Sequence, residues 1–349
     1  MINMRQHALC ERCMLLLVVI FLNGCAQTYQ KGLYPAQSNL VWPSKPAAAR
    51  IAYVGQFHHP ENMGISKGIL EHLGDLFVGS SDRHMVRPMA VIALSPDEIY
   101  VADPGVKGVH YFNRKTEEYR LILRKGDQAF PSPVAMTKGP NNSILVSDSA
   151  LAQVYQIKPK AEYATVFPLQ TKLQQPTGLA YDKKYQRLYV ADTRAHAIRV
   201  FDQQGRQIKK IGKRGKKSRE FNFPTLIWFD DRRKLYVTDS LNHRVQIFDA
   251  GGRFINTFGQ AGMATGTLAR PKGVATDNLG HIYIVDALFH ALQVFDNKGR
   301  LLLSIGQQGK QTAEFWLPAG IYIGENNTIY IADSYNRRVQ VFKYIGGKS

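Results

Sequence analysis

The chain has 349 residues, a formal net charge of +18 and three cysteines, all of which lie within the first 25 residues. The remainder can form no disulfide framework, so its fold must depend on a hydrophobic core. The excess of basic residues favours acidic partners without identifying them.

Residues 1–24 predict an export signal. The apolar run Met14–Leu22 is too short to span a bilayer as a stable helix, and it lies where a secretory signal belongs. The Leu-Asn-Gly-Cys sequence that follows resembles a bacterial lipoprotein box, although Asn23 departs from the small residue usual there. This resemblance implies that Cys25 carries a lipid anchor in the mature protein. An ordinary signal peptide and an uncleaved anchor are the alternatives.

Residues 25–49 predict a flexible, lipid-anchored tether ahead of a folded domain at residues 50–349, because the segment is rich in Pro, Ala and Ser and lacks periodicity. Ala26 is not the aspartate that often retains lipoproteins at an inner membrane, which favours the outer membrane of a bacterial cell envelope. Cys10 and Cys13 form a C-x-x-C pair, but a metal or redox site needs a folded context that a signal segment lacks.

From residue 88 onward, one segment recurs six times with a period of about 45 residues. Each copy opens with a proline: Pro88, Pro133, Pro176, Pro224, Pro271 and Pro318. Each copy also closes a hydrophobic strand with an aspartate: Asp103, Asp148, Asp192, Asp239, Asp286 and Asp333. A fixed period of this size predicts a repeat architecture.

Copy four shows most clearly what one repeat builds. It predicts four short strands at Thr225–Phe229, Lys234–Thr238, Val245–Phe248 and Phe254–Phe258, separated by Asp-, Asn- and Gly-rich turns. A single antiparallel sheet of this kind would leave two apolar faces in water. Stacking the sheets around an axis buries both faces, so each copy is interpreted as one propeller blade.

The chain start is expected to close the ring. Copy six supplies only three strands before the sequence ends in Gly-Gly-Lys-Ser, so one strand must come from elsewhere. The N-terminal region offers two candidates, Ile51–Phe57 and Asp75–Gly79. The second fits the repeat frame better, because the loop from it to Pro88 mirrors the loop that leads to Pro318. Both candidates stay open.

Copies three to six carry recurring sequence patterns, seen in TDSLNHRVQIFD, VDALFHALQVFD and ADSYNRRVQVF. Together with the P-x-G-x-A openings, these patterns resemble the NHL repeat over roughly residues 50–345, while copies one and two are degenerate. The resemblance implies an all-β, six-bladed β-propeller that is monomeric. NHL proteins include binding platforms, sensor ectodomains and a few lyases, so the resemblance does not decide the chemistry.

The densest basic segment is residues 213–219. Its cations are Lys213, Arg214, Lys216, Lys217 and Arg219. Propeller geometry predicts that this loop lies on the same face as the closing aspartates, where it would attract anions; the alternative is a solvated loop that keeps the protein soluble. Further candidate contacts on this rim, chosen by position alone, are Arg194, Asn242, His243, Arg244, Tyr335, Asn336 and Arg337.

Nucleic acid is a less favoured partner than an envelope protein or an anionic polymer or lipid. The export signal directs the domain out of the cytosol, and the basic segment has few aromatic residues on which bases could stack. Lysine also outnumbers arginine in the segment, whereas bidentate phosphate recognition favours arginine.

The repeated polar residues favour structure over catalysis. An aspartate at a strand end accepts backbone hydrogen bonds in the turn that follows, and its recurrence in every copy indicates an architectural role. His196, His243 and His290 share one offset in neighbouring copies, but equivalent positions around a ring diverge too far to bind one metal ion. No catalytic residue, metal ligand or cofactor is therefore predicted.

These observations together predict an envelope-anchored binding or scaffolding propeller that recognises its partner through the loop face. A metal-dependent propeller lyase or lactonase is the first alternative, although the innermost strands carry almost no carboxylate or imidazole. An RNA- or protein-binding adaptor is the second, if the N-terminus is not an export signal.

Overall fold

A computed structural model describes residues 40–66 and 83–346. The predicted export signal, Cys25 and most of the predicted tether lie outside these residues. No helix within them is long and apolar enough to cross a membrane. The helical segments are short 3-10 turns at Pro60–Met63, Pro140–Asn142, Thr193–Ala195, Ser240–Asn242, Glu325–Asn327 and Ser334–Asn336.

The remaining regular structure of the described residues is β-strand. Two strands precede the repeats: β1 (Val41–Trp42) and β2 (Ile51–Phe57). Copies one and two form β3 (Ala90–Ser95), β4 (Glu98–Asp103), β5 (Gly108–Asn113), β6 (Glu118–Arg124), β7 (Pro133–Lys138), β8 (Ile144–Asp148), β9 (Gln153–Ile157) and β10 (Tyr163–Val166). Copies three and four form β11 (Pro176–Asp182), β12 (Arg187–Asp192), β13 (Ala197–Phe201), β14 (Gln207–Ile211), β15 (Pro224–Phe229), β16 (Leu235–Asp239), β17 (Arg244–Phe248) and β18 (Phe254–Phe258). Copies five and six form β19 (Pro271–Thr276), β20 (Ile282–Asp286), β21 (Ala291–Phe295), β22 (Leu301–Ile305), β23 (Ile321–Ile323), β24 (Thr328–Asp333) and β25 (Arg338–Tyr344).

Within each copy, consecutive strands pair antiparallel, and the four strands predicted for copy four are confirmed to within one residue at each end. Copies three, four and five are separate four-stranded sheets. Copies one and two share an eight-stranded sheet, because β6 and β10 pair in parallel with Leu123 opposite Tyr163.

The first strand of each copy lies against the first strand of the next. The series β3, β7, β11, β15, β19 and β23 ends with β23 in contact with β3, so these strands form a closed cycle. The later strands of each copy lie progressively further from this cycle in the order of pairing. A ring of antiparallel sheets arranged in this way is a β-propeller.

Strand β2 joins the sheet of copy six. It pairs antiparallel with β25, from Ile51 opposite Tyr344 to Phe57 opposite Val339, and β1 extends the same sheet. The preference for Asp75–Gly79 in this position is therefore wrong, and that segment lies outside the described residues. The reason is the alternation of β2, in which every second residue is buried and Phe57 reaches the Phe112 ring of copy one, with 5.7 Å between ring centroids.

The core lies between neighbouring sheets rather than within one sheet. Between copies three and four, Tyr189 and Ile198 pack with Leu235 and Phe248, all nearly inaccessible to solvent. Each interface is thus filled by the facing apolar residues of two blades. Truncating Phe248 to alanine would typically cost about 3–5 kcal/mol.

Candidate functional site

The six closing aspartates are fully buried and accept hydrogen bonds from the backbone. Asp103 shows the pattern in copy one: it accepts from the N–H of Arg87 (2.9 Å), before the opening proline, and from that of Gly105 (2.7 Å), in the following turn. Burial opposes ionisation of Asp103, but the His110 ring, whose Nε2 lies 3.5 Å from Oδ2, and the backbone hydrogen bonds hold its pKa below the usual value. In copies one, two and five the aspartate thus fastens the start of its own copy to the backbone of the closing turn.

In copies three, four and six, the closing aspartate also pairs with a buried or half-buried arginine. The Nε–Oδ2 distances are 2.7 Å for Arg199–Asp192, 2.8 Å for Arg244–Asp239 and 2.9 Å for Arg338–Asp333. In each of these copies a short 3-10 turn follows the aspartate. These carboxylates already accept hydrogen bonds from the backbone and from arginine, so they do not form a ring of free acids around the channel.

The three equivalent histidines are not surface groups free of contacts. His196, His243 and His290 all have a positive φ of 50–53°, and each ring reaches towards the next copy. The Nδ1 atoms of His196 and His290 accept hydrogen bonds from the backbone N–H of Phe223 (3.2 Å) and Leu317 (3.1 Å). His243 Nδ1 lies 2.9 Å from the carbonyl oxygen of Ala269. These histidines therefore connect neighbouring blades.

The basic loop formed by residues 213–219 lies beside the closing turn of copy four. Arg244 Nη1 and Nη2 donate hydrogen bonds of 2.8 Å to the carbonyls of Lys216 and Lys217. The Asn242 side-chain amide donates another, of 2.8 Å, to the carbonyl of Gly215. The fold thus holds the loop by its backbone and leaves its five cationic side chains exposed.

The loop that leads into copy six is held by the same backbone hydrogen bonds but carries less charge. Arg338 donates to the carbonyls of Lys310 and Gln311, as Arg244 does to those of Lys216 and Lys217. Asn336 donates to the carbonyl of Gly309, as Asn242 does to that of Gly215. Residues 307–313 read QQGKQTA, whereas residues 213–219 read KRGKKSR. The chain therefore contains a nearly neutral counterpart of its own basic loop.

The other rim candidates fall into two groups. Asn242, Arg244 and Asn336 have structural hydrogen bonds, so they position loops rather than project outward. Arg194, Tyr335 and Arg337 are exposed. The Tyr335 ring packs on Trp316 with 5.8 Å between centroids. Tyr335 is the candidate that contributes to a cavity on this face.

That cavity has a volume of about 500 Å³ and lies where the repeat openings and closing turns converge. Its cationic lining residues are Arg87, Arg270 and Lys272, and no carboxylate side chain lines it. Ser132 and Tyr335 add polar and aromatic groups. Burial, followed by the positive charge of Arg270, lowers the pKa of Lys272. We call this cavity the cationic mouth.

Sequence analysis did not identify the cationic mouth. Arg87 directly precedes one opening proline, and Arg270 and Lys272 flank another. Their position beside an opening proline is the one feature that they share in the sequence. They belong to copies one and five, so they form no local cluster there. Ring closure brings them together.

A second cavity of about 170 Å³ lies among the innermost strands. Its lining includes Met136, Trp228 and Tyr322 with one cation, Lys138, whose pKa is lowered by burial. Neither a carboxylate nor an imidazole belongs to this lining. The central cavity therefore lacks a carboxylate–imidazole set for metal binding or acid–base catalysis.

The fold and the site define a β-propeller of repeated four-stranded units with a ligand-sized cavity on its closing-turn face. The teneurin NHL domain family matches residues 124–317, more than half of the chain, and the NHL repeat family matches residues 315–342. The chain belongs to the teneurin NHL domain family, and these matches confirm the predicted resemblance to NHL repeats.

Solved structures share the fold at low sequence identity. An auxiliary nutrient binding protein from Bacteroides thetaiotaomicron has a TM-score of 0.59 at 14% identity, covering 75% of this chain and 70% of that one. A similar protein from Bacteroides ovatus has a TM-score of 0.58 at 14% identity, covering 74% and 69%. Virginiamycin B lyase from Staphylococcus aureus has a TM-score of 0.54 at 11% identity, covering 74% and 96%. No protein with a curated description matches the chain.

Proposed function

We propose that this protein is a six-bladed binding propeller that holds an acidic ligand in its cationic mouth. The observation that carries the proposal is the lining of that cavity, where Arg87, Arg270 and Lys272 converge without a carboxylate. Three like charges around one cavity repel one another, and an anionic group placed between them relieves that repulsion. The basic loop lies on the same face and attracts the same class of partner over a longer range.

The proposal extends to a lipid-anchored protein of the bacterial envelope, with the outer membrane favoured. Its support is the Leu-Asn-Gly-Cys sequence that ends at Cys25 and the Pro/Ala/Ser-rich stretch after it. The two Bacteroides propellers of the same fold are described as auxiliary nutrient binding proteins, which agrees with a binding role. On this proposal the partner is an acidic envelope protein or an anionic polymer or lipid.

A lyase is the competing function, because virginiamycin B lyase has the same fold. That likeness concerns architecture alone. The apolar lining of the central cavity gives it no further support. Stoichiometric metal in the central cavity of the purified protein, together with an elimination activity, would replace the binding proposal with this one.

Binding of the full-length chain to poly-L-glutamate, measured by fluorescence anisotropy at low and physiological salt, tests the proposal. We expect binding that weakens as salt rises, and the Arg270→Gln/Lys272→Gln variant to bind more weakly at both salt concentrations. The matched control is Lys183→Gln/Lys184→Gln, which removes two cations beside the separate cavity at Asp182. Equal losses in both variants would show that net charge, rather than the cationic mouth, controls binding.

A further inference from the structure

Three histidines converge where the ring closes. His58 and His59 follow directly after β2, and His84 lies just before the first repeat copy. Each offers one ring nitrogen, and these three nitrogens all lie within 4.8 Å of one another. The ring centroids of His58 and His59 are 4.3 Å apart, and those of His59 and His84 are 5.0 Å apart. We call this group the histidine cluster.

The surrounding backbone fixes the cluster from two sides. The N–H of His58 donates a hydrogen bond of 3.1 Å to the side-chain oxygen of Asn62, in the 3-10 turn that follows β2. The carbonyl of His58 accepts a hydrogen bond of 2.9 Å from the N–H of Met85, next to His84. The histidines thus occupy fixed positions at the junction between the sheet of copy six and the start of copy one.

Glu61 orients one of the rings. Its Oε2 atom lies 2.7 Å from Nδ1 of His59, so this nitrogen donates to the carboxylate and Nε2 remains to bind another group. A carboxylate hydrogen-bonded to the second ring nitrogen is the usual support of a metal-binding histidine, because it fixes the tautomer and raises the basicity of the ligand. This support is independent of the convergence of the three rings.

We propose that the histidine cluster binds one Zn²⁺ ion. Zn²⁺ accepts imidazole nitrogens at about 2.0–2.1 Å in tetrahedral geometry, which places the nitrogens about 3.4 Å apart. The three nitrogens, which lie within 4.8 Å of one another, would move closer together to reach that spacing. An all-imidazole set without thiolate selects Zn²⁺ and its transition-metal neighbours over Ca²⁺ or Mg²⁺, which require oxygen ligands.

The neighbourhood allows a fourth ligand. A cavity of about 330 Å³ borders His58 and His84, so water can reach the ion. Arg337 also lines this cavity, and Arg83 lies 3.7 Å from Glu61. These positive charges oppose a bound cation, and the negative charge of Glu61 offsets part of that cost. Three protein ligands and one water complete the tetrahedron.

A bound ion would join two parts of the ring that are distant in the sequence. His58 and His59 continue the strand that completes the sheet of copy six. His84 lies two residues before Val86, whose N–H donates a hydrogen bond of 2.7 Å to the Asp103 carboxylate of copy one. Metal binding at this junction stabilises the closed ring, because an ion bound by the folded state alone shifts the unfolding equilibrium.

The test uses the full-length chain with Cys10, Cys13 and Cys25 replaced by serine and without a polyhistidine tag, since thiolates and tags bind zinc. Zn²⁺ is titrated by isothermal calorimetry. We expect one ion per chain at micromolar affinity or better, a raised melting temperature with Zn²⁺ and no rise with Ca²⁺. His59→Ala and His84→Ala should abolish stoichiometric binding, and Glu61→Gln should weaken it about 10- to 100-fold.

The matched control is His281→Ala. His281 also pairs with a carboxylate, Asp277, at 2.7 Å, but it does not belong to the histidine cluster. This variant should bind Zn²⁺ as the parent does. Melting curves without metal check that each variant folds, and His84→Gln replaces His84→Ala if the latter does not. Failure of the parent to bind Zn²⁺ would overturn the proposal, as would equal binding by parent and His84 variants.

Discussion

Arg338 Nη1 donates a hydrogen bond of 2.7 Å to Oε1 of Gln56, across 282 positions of the sequence. The same guanidinium pairs with the buried carboxylate of Asp333 through Nε at 2.9 Å. It also donates to the carbonyl of Glu314 at 2.8 Å. One side chain therefore ties the N-terminal strand, the closing turn and the preceding loop of copy six to one another.

Replacing Arg338 with glutamine should destabilise the protein strongly. Asp333 would keep its buried position without the opposing charge, and breaking a buried pair typically costs about 3–5 kcal/mol. Burial already raises the pKa of Asp333 despite the nearby Arg338. A raised folded-state pKa means that folding favours the protonated acid. The loss of stability in the variant should therefore shrink as pH falls through that pKa. Urea unfolding at pH 7 and pH 4.5 measures both effects.

The control for this variant is Arg253→Gln. Arg253 pairs with Asp249 through the same atoms at 2.7 Å, but its side chain is 88% exposed. Exposed ion pairs typically contribute about 0–1 kcal/mol. A similar loss of stability in both variants would contradict the importance assigned to the buried pair.

Deleting β2 (Ile51–Phe57) should cause misfolding or aggregation. The deletion leaves the backbone of β25 unpaired along one edge and removes Phe57 from its contact with Phe112. Size-exclusion chromatography and thermal denaturation measure the outcome, with deletion of residues 26–38 as a control that leaves β1 and β2 in place. A β2-deleted protein that stays monomeric with unchanged melting temperature would contradict closure by this strand.

Exchanging the basic loop for its counterpart tests electrostatic recognition. Replacing residues 213–219 by the sequence of residues 307–313 removes four cations and keeps both the glycine and the backbone carbonyls that Arg244 binds. We expect a change in unfolding free energy within about 0.5 kcal/mol, as for other exposed substitutions. Association with poly-L-glutamate should slow, and its salt dependence should weaken, in stopped-flow measurements. Unchanged association kinetics would mean that the loop is only solvated.

Acid should weaken the contacts between blades. Burial, followed by the charge of Arg214, lowers the pKa of His196, and burial also lowers the pKa of His290. A histidine with a lowered folded-state pKa contributes stability that is complete above its unfolded pKa of about 6.5 and is lost as pH falls towards the folded value. Protonation of Nδ1 ends its role as acceptor for Phe223 or Leu317.

The His196→Asn/His290→Asn variant should therefore lose less stability than the wild type between pH 7 and pH 5. Asparagine tolerates the positive φ at both positions and offers a side-chain oxygen as acceptor, but it does not titrate. Thermal melts at each pH measure the difference. Parallel pH profiles for variant and wild type would assign the acid sensitivity to other groups.

Cys25→Ser should prevent lipidation. We expect the protein to move from the membrane fraction to the soluble fraction, or its processing to stall, because the serine hydroxyl replaces the thiol that would carry the anchor. Immunoblotting of fractionated cells and intact-mass analysis of the mature N-terminus measure the result. An exported wild-type protein with an unmodified Cys25 would refute the anchor while leaving export in place.

The sequence predicts the fold better than it predicts the site, for a physical reason. Turn residues and alternating apolar positions recur in every copy, so the strands of copy four can be located from local pattern alone. The closing strand was harder to assign, because its partner β25 lies at the far end of the chain and the repeat frame gives no information about Ile51–Phe57.

The site depends on juxtapositions that no local pattern contains. Arg87 and Arg270 meet in the cationic mouth because the first and fifth copies contribute to the same face. His58 and His84 meet because β2 ends where the first copy begins. Arg244 and Asn242 were chosen by their place on the rim alone, and that place gave no sign that both bind the neighbouring loop.

In the loops of residues 213–219 and 307–313, the side chains that face solvent are not the groups that hold the loop to the propeller. Arg244 and Arg338 bind backbone carbonyl oxygens, which every residue type provides, so the side chains of those loops are not needed for these bonds. Gly212 and Gly306 begin the loops at a positive φ and face Phe221 and Phe315, where a side chain would clash. Between these fixed points a lineage could reverse the charge of a loop, or change its preferred partner, by a few substitutions that leave the blades intact.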